Sequence, residues 1–170
     1  MKQVYLLTGV PGSGKTSVIK QIAAIYSSQA TGFYTEEIRT DGTRNGFRLV
    51  ALSGEKGILA STNFSSPYRV GNYSVDIDAL ERIGVPALLI DRPLVVVDEI
   101  GKMEMLSLRF REAVLQVIHD GKPMLATVML HHHAWSDVIK NLPEVNLMML
   151  NQQNRESILS EIHKWLKEIL

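Results

Sequence analysis

Residues 9 to 17 read GVPGSGKTS, and residues 97 to 101 read VDEIG. The first stretch fits G-x-x-x-x-G-K-[ST] from Gly9 to Thr16, between a short apolar run and a helical pattern. Each part has a chemical purpose. Gly9, Gly12 and Gly14 let the backbone curl through Val10, Pro11 and Ser13 so that several N–H groups face one phosphate. The helix that starts there adds its positive dipole end. Lys15 would reach β- and γ-phosphates as a compact point charge, and the Thr16 hydroxyl can ligate Mg²⁺. Such a loop needs an acid at the end of a buried strand to hold the metal, and Asp98 follows Leu94 to Val97 directly. A carboxylate there is costly unless a cation or hydrogen bonds compensate it. Adjacent residues on a strand point to opposite sides, so Asp98 and Glu99 can serve one centre only if the chain bends. The expectation is that Asp98 holds Mg²⁺, directly or through a water. Glu99 then orients or deprotonates the water that attacks the γ-phosphate. The rival reading of Glu99 is a purely structural carboxylate.

Other residues are weaker candidates, each with a plain alternative. Lys102 could bring a positive charge to the γ-phosphate, or be a solvated lysine at a helix start. Arg39, Arg44 and Arg48 could act as arginine fingers or be surface charges. Glu36 and Glu37 face opposite ways on a strand, so one could reach the metal or the water. Thr127 could sense the γ-phosphate, although a β-former inside a strand is the simpler reading. Of His131 to His133 only the outer two could share a side, and with no cysteine or well-spaced acid a zinc site is disfavoured. In NQQNR, Asn151 to Arg155, a base contact competes with capping of the last helix by Asn154.

The elements that must position these residues alternate between strand and helix. Gln3 to Thr8, Leu94 to Val97, Met124 to Leu130 and Val145 to Leu150 read as buried strands. Val18, Ile22 and Tyr26 mark a first helix, and Ile158, Ile162, Trp165 and Ile169 a last one. Met103, Leu106, Phe110, Val114 and Val117 predict a helix from Met103 to His119, ended by Gly121. A short helix near Trp135 to Ile139 and another from Asp76 to Ile83, capped by Ser74 or Asp76, complete the set, with a separate turn near Ala87 to Ile90. Residues 31 to 61 predict a β-hairpin region with turn signals at Asp41-Gly42 and Asn45-Gly46 and a third strand near Gly57 to Ser61. Residues 62 to 75 read as loop with short extended pieces. The alternation predicts an α/β fold with a largely parallel sheet and a β-hairpin insert, its ligands at the carboxyl ends of the strands.

The chain has 170 residues, which suits one domain over residues 1–170. Eighteen basic and eighteen acidic residues cancel, so no basic excess points to a nucleic-acid partner. The absence of cysteine excludes disulfides and thiolate chemistry. No apolar stretch has the length of a membrane span or a signal sequence, so a soluble, cytoplasmic protein is expected. A monomer is compatible with the sequence, which does not set the oligomeric state.

GVPGSGKTS, GFYTEEIR, GFRLVAL, VGNYSVD and DEIGKMEM occur in this order. In that order they resemble the nucleoside-triphosphatase family of thermophilic archaea and bacteria, which has cancer-related counterparts in animals. The resemblance covers most of the chain and is less distinct in the C-terminal third. It implies a RecA-like P-loop core of three layers and Mg²⁺-dependent hydrolysis of ATP, GTP and other nucleoside triphosphates to the diphosphate. It also implies two nucleotide-binding stretches, Gly9 to Thr16 and Val97 to Gly101, the latter including Ile100. Lys15 and Glu99 are the expected catalytic residues, and Thr16 and Asp98 the expected metal ligands. Two alternatives stand beside this reading. One is a small nucleotide or nucleoside kinase, which needs an acceptor site. The other is a slow regulatory nucleotide switch.

Overall fold

The computed structural model describes residues 2–170. In chain order it holds β1 (Val4–Thr8), α1 (Lys15–Ile25), β2 (Ala30–Thr40), β3 (Thr43–Ala51), β4 (Lys56–Ser61), β5 (Arg69–Val70) and β6 (Tyr73–Val75). Then come α2 (Ile77–Ala79), a π-turn (Leu80–Gly84), α3 (Val85–Leu89), β7 (Leu94–Ile100), a 3₁₀ turn (Glu104–Leu106), α4 (Leu108–His119), β8 (Met124–Val128), α5 (Ala134–Lys140), β9 (Val145–Met149) and α6 (Arg155–Ile169).

All strands join one sheet in the order β5-β6-β4-β3-β2-β7-β8-β1-β9. From β2 to β9 every pairing is parallel, and from β2 to β5 every pairing is antiparallel. β1, β7, β8 and the first residues of β2 are buried on both faces, so their residues alternate between two cores rather than between core and water. β9, expected as a buried strand, is the sheet edge and leaves Leu147 and Met149 exposed. Leu94 and Val96 of β7 pack with α1 and α6, beside Ile22, Ile162 and Trp165. Val95 and Val97 pack on the opposite face with Phe33, Phe110, Val114 and Leu88. The result is three layers, helix–sheet–helix.

Several expectations change here. The hairpin turn is at Asp41-Gly42, where both residues have positive φ. Asn45-Gly46 lies inside β3 instead. A Cβ at Gly46 would sit 2.5 Å from the Ala60 carbonyl oxygen, so the glycine lets β4 approach rather than turn the chain. The hairpin is not an insert set apart from the sheet. β2 pairs with β7 from Ala30↔Leu94 to Phe33↔Val97, and β3 and β4 extend the same sheet.

The helix expected from Met103 begins only at Leu108. Ser107 is its N-cap: its Oγ accepts from the Phe110 N–H at 3.1 Å and donates to Glu81 at 2.8 Å. An S-x-x-F start interrupts the apolar period, and the preceding turn takes a separate course. The helical run at 76–89 is continuous through the π-turn, capped by Asp76, which accepts from the Ala79 N–H at 3.0 Å. Two short elements were expected there. Strand β7 also runs past Val97, through both acids, to Ile100.

Candidate active site

The loop after β1 ends in Gly14, in the left-handed region at φ 97°, and α1 starts at Lys15. Lys15 Nζ folds back into the loop and donates to the carbonyls of Gly9 at 2.8 Å and Val10 at 3.2 Å. Across the sheet, β7 delivers the acids. The two ends meet: Thr16 Oγ1 donates to Asp98 Oδ2 at 2.9 Å. Thr127, on neighbouring β8, donates to the other oxygen, Oδ1, at 2.7 Å. Thr127 is therefore a residue that holds Asp98.

Asp98 is 2% exposed. Burial pushes its carboxyl above the usual range, and the hydroxyls of Thr127 and Thr16, the Thr35 amide and the Lys15 charge oppose that push. Glu99 is raised too, by burial first and the adjacent Asp98 second. The pairing of β7 with β8 is irregular between Val97 and Ile100, and the peptide joining the two acids is cis. Both carboxylates line one cavity of about 770 Å³ at the carboxyl ends of the strands, with Thr16, Thr35, Lys102 and Glu104 among its other walls. Val97 and Ile100 are fully buried, so their side chains belong to the core and only their main chain is free to meet a ligand.

Glu104 was not anticipated. It falls at the start of the helix expected from Met103 and was given no role, yet it is 5% exposed. Its Oε2 accepts from the Gly101 N–H at 3.2 Å. A Cβ at Gly101 would sit 2.4 Å from Glu99 Oε1 and 3.0 Å from Glu104 Oε2, so a side chain there would have to displace the two carboxylates that converge on it. The available signal was an acid flanked by two methionines in a segment that must bury one side. Burial, then the Glu99 charge, push the Glu104 carboxyl up to about 8. The consequence for stability has a definite sign. Near pH 4 the group is protonated in both states. As pH rises through the ordinary value of 4.5 the unfolded chain releases its proton first, and stability falls until the folded group titrates near 8. Glu104→Gln should remove that decline. Urea midpoints of the two proteins should be similar at about pH 5 and diverge in favour of the variant towards about pH 8. Parallel curves over that range would refute a neutral, buried Glu104.

The remaining candidates scatter. Glu37 pairs with Arg39 at 2.7 Å and Arg44 at 3.2 Å, while Glu36 pairs with Lys20 at 3.5 Å and Arg48 at 3.9 Å. All three arginines are thus tied to glutamates on the cavity rim. Lys102 is exposed, lines the cavity and makes no ion pair among the described residues. The three histidines go separate ways. His131 lines the cavity, His132 meets Asp137, and His133 caps α5 by accepting from the Trp135 N–H at 3.3 Å. Asn154 does not cap α6 with its side chain. It exchanges hydrogen bonds with Asn151 at 2.8 and 2.9 Å. Arg155 crosses to α1, donating to Ser17 at 3.3 Å and Gln21 at 3.2 Å, beside Gly14.

A glycine loop between a central strand and a helix, tied by a threonine to an acid on a parallel strand two places away in the sheet, defines a P-loop NTPase fold. A family model described as NTPase matches residues 4–163. The nucleoside-triphosphatase THEP1 of Thermotoga maritima is 46% identical over 165 residues, which cover 95% of this chain and 94% of that protein. The THEP1 of Methanocaldococcus jannaschii is 38% identical over 163 residues and 92% of both chains. The crystal structure of THEP1 from Aquifex aeolicus superposes with a TM-score of 0.85 at 37% identity, over 94% of this chain and 96% of that one. The solution structure of a human cancer-related nucleoside triphosphatase does so with 0.83 at 33%, over 99% and 98%. The chain belongs to the NTPase family.

Proposed function

We propose that this chain hydrolyses nucleoside triphosphates to diphosphate and phosphate with Mg²⁺. The observation that carries this reading is the Thr16–Asp98 contact at 2.9 Å, which brings the loop's hydroxyl and a buried carboxylate together beside Glu99. Both are hard oxygen donors of the kind Mg²⁺ takes, and the buried charge of Asp98 favours a cation. When bound, Mg²⁺ would neutralise charge on the β- and γ-oxygens.

The chain's own groups do the rest. The loop N–H groups and Lys15 bind the phosphates and stabilise the charge that spreads over the transferred group. Thr127 fixes Asp98. Glu99 orients the attacking water and takes its proton. Every group named acts on phosphate, metal or water and none on a base, so ATP, GTP and the others should all be accepted. Phosphate release from the four common ribonucleoside triphosphates should agree within about tenfold and stop when EDTA removes the metal. No release with any of them in Mg²⁺ would overturn the reading.

A further inference from the structure

The cavity beside Asp98 and Glu99 is far larger than hydrolysis requires. A water occupies about 30 Å³, and this cavity has about 770 Å³, within the range of organic-ligand sites. It begins where the phosphates should end. Of Gly9 to Thr16 only Thr16 lines it, and Asn151 to Arg155 do not line it at all. From there its lining passes Thr35, Glu36 and Glu37 of β2 into the antiparallel half of the sheet. Its lining there includes Phe47 of β3, Leu59 of β4 and Val70 of β5, with Met103 and Met129 among its other apolar walls. Phe47 is braced by Tyr73, edge-on at 5.3 Å, and by the Arg44 guanidinium at 5.2 Å. Phe33 lies opposite Val97, and Phe47 opposite Glu37. The Phe47 ring therefore stands about 10 Å beyond Asp98 along the strands. An aromatic platform and apolar wall at that remove do nothing for an attacking water.

We infer that this cavity is an acceptor site for a neutral nucleoside, whose base packs on Phe47 and whose hydroxyl reaches Glu99. This rests on the proposed triphosphate hydrolysis, because it uses the same donor and the same base. The step replaces water by the hydroxyl. Its oxygen forms a bond to Pγ, the bond from Pγ to the β,γ-bridging oxygen breaks, the diphosphate leaves with the electron pair, and the hydroxyl proton passes to Glu99. Charge argues for a nucleoside over a nucleotide. Glu36, Glu37 and Glu99 line the cavity, Lys20 is already paired with Glu36, and the arginines are held by the two rim glutamates. Only Lys102 stands unpaired among the cavity's described lysines and arginines, and an acceptor phosphate would face the carboxylates.

The test follows the label from γ-³²P-ATP with Mg²⁺ and the full chain, alone and with each common nucleoside or its 5′-monophosphate. Label should appear on a nucleoside, with at least about tenfold faster ATP consumption than without acceptor, and not on the monophosphates. Val70→Trp should lower transfer at least about tenfold while phosphate release without acceptor stays within about twofold. Its melting temperature and that basal release report whether the variant is folded. Release without acceptor tests the hydrolysis, and label on nucleoside tests the cavity, so the two readings fail separately. Label only in inorganic phosphate with every wild-type acceptor would overturn the proposal. So would a raised KM for ATP in Phe47→Ala with no transfer product, which would put the donor's own base in the cavity.

Discussion

Glu99→Gln should leave Mg·ATP affinity within about threefold and lower kcat by about 10²–10⁴-fold, the range a positioned base contributes. Gln keeps the shape and the acceptor oxygen but cannot take a proton. Three observations point to turnover rather than binding. Glu99 is at the strand end yet is not bonded to Thr16, which contacts Asp98 alone. It lines the cavity beyond the glycine loop, where Thr16 is the loop's one contribution. Burial first, and then the adjacent Asp98 charge, raise its affinity for a proton. Removing one of two adjacent negative charges should, if anything, favour the triphosphate. Equilibrium binding of a fluorescent ATP analogue and single-turnover phosphate release separate the two quantities. A variant that hydrolyses within a few-fold of wild type would return Glu99 to a structural role.

The places of the glycine loop and of Asp98 were legible in the sequence because their signals are local. Gly9 to Thr16 carries its own spacing rule, and Asp98 directly follows a fully apolar run. Membership of the sheet was legible for β1, β7, β8 and β9, which read as short apolar runs, whereas the alternating segment of β3 read as a separate hairpin. What was missed depends on residues far apart in sequence. Thr127 looked like a strand filler because its partner, Asp98, is 29 positions away on another strand. The cavity's apolar wall draws single residues from β3, β4 and β5, and none of them departs from an ordinary strand pattern. Glu104 was hidden differently. Met103 and Leu106 extend the spacing of Phe110, Val114 and Val117 backwards, so the period continued across a real break. Ser107 carried the contrary signal, a cap residue inside the run, and tertiary contact with Glu81 decided in its favour. Asn45-Gly46 shows the same conflict. The dipeptide favours a turn, but the pairing of β3 with both β2 and β4 overrides it.

Lys15→Ala should fail differently from Glu99→Gln, and that contrast tests the division of labour. The ammonium now donates to two carbonyls of its own loop, at 2.8 and 3.2 Å, with the Ser13 hydroxyl at 3.5 Å. It thus occupies the concavity that a phosphate should fill and balances carbonyl oxygens that would otherwise face an incoming anion. Its loss removes a charge from the bound triphosphate and from the transition state alike. Affinity should fall by at least about tenfold, and kcat/KM by about 10²–10³-fold, comparable with losing one preorganised donor to a developing charge. Stability should change little, since Lys15 is only half-buried and its hydrogen bonds are to its own loop. If affinity were unchanged and only kcat fell, Lys15 would act in the transition state alone. The loop amides would then be the sole ground-state cradle. If both quantities survived, the loop would bind something other than phosphate, and the assignment of Asp98 and Glu99 would lose the ligand that gives their burial a reason.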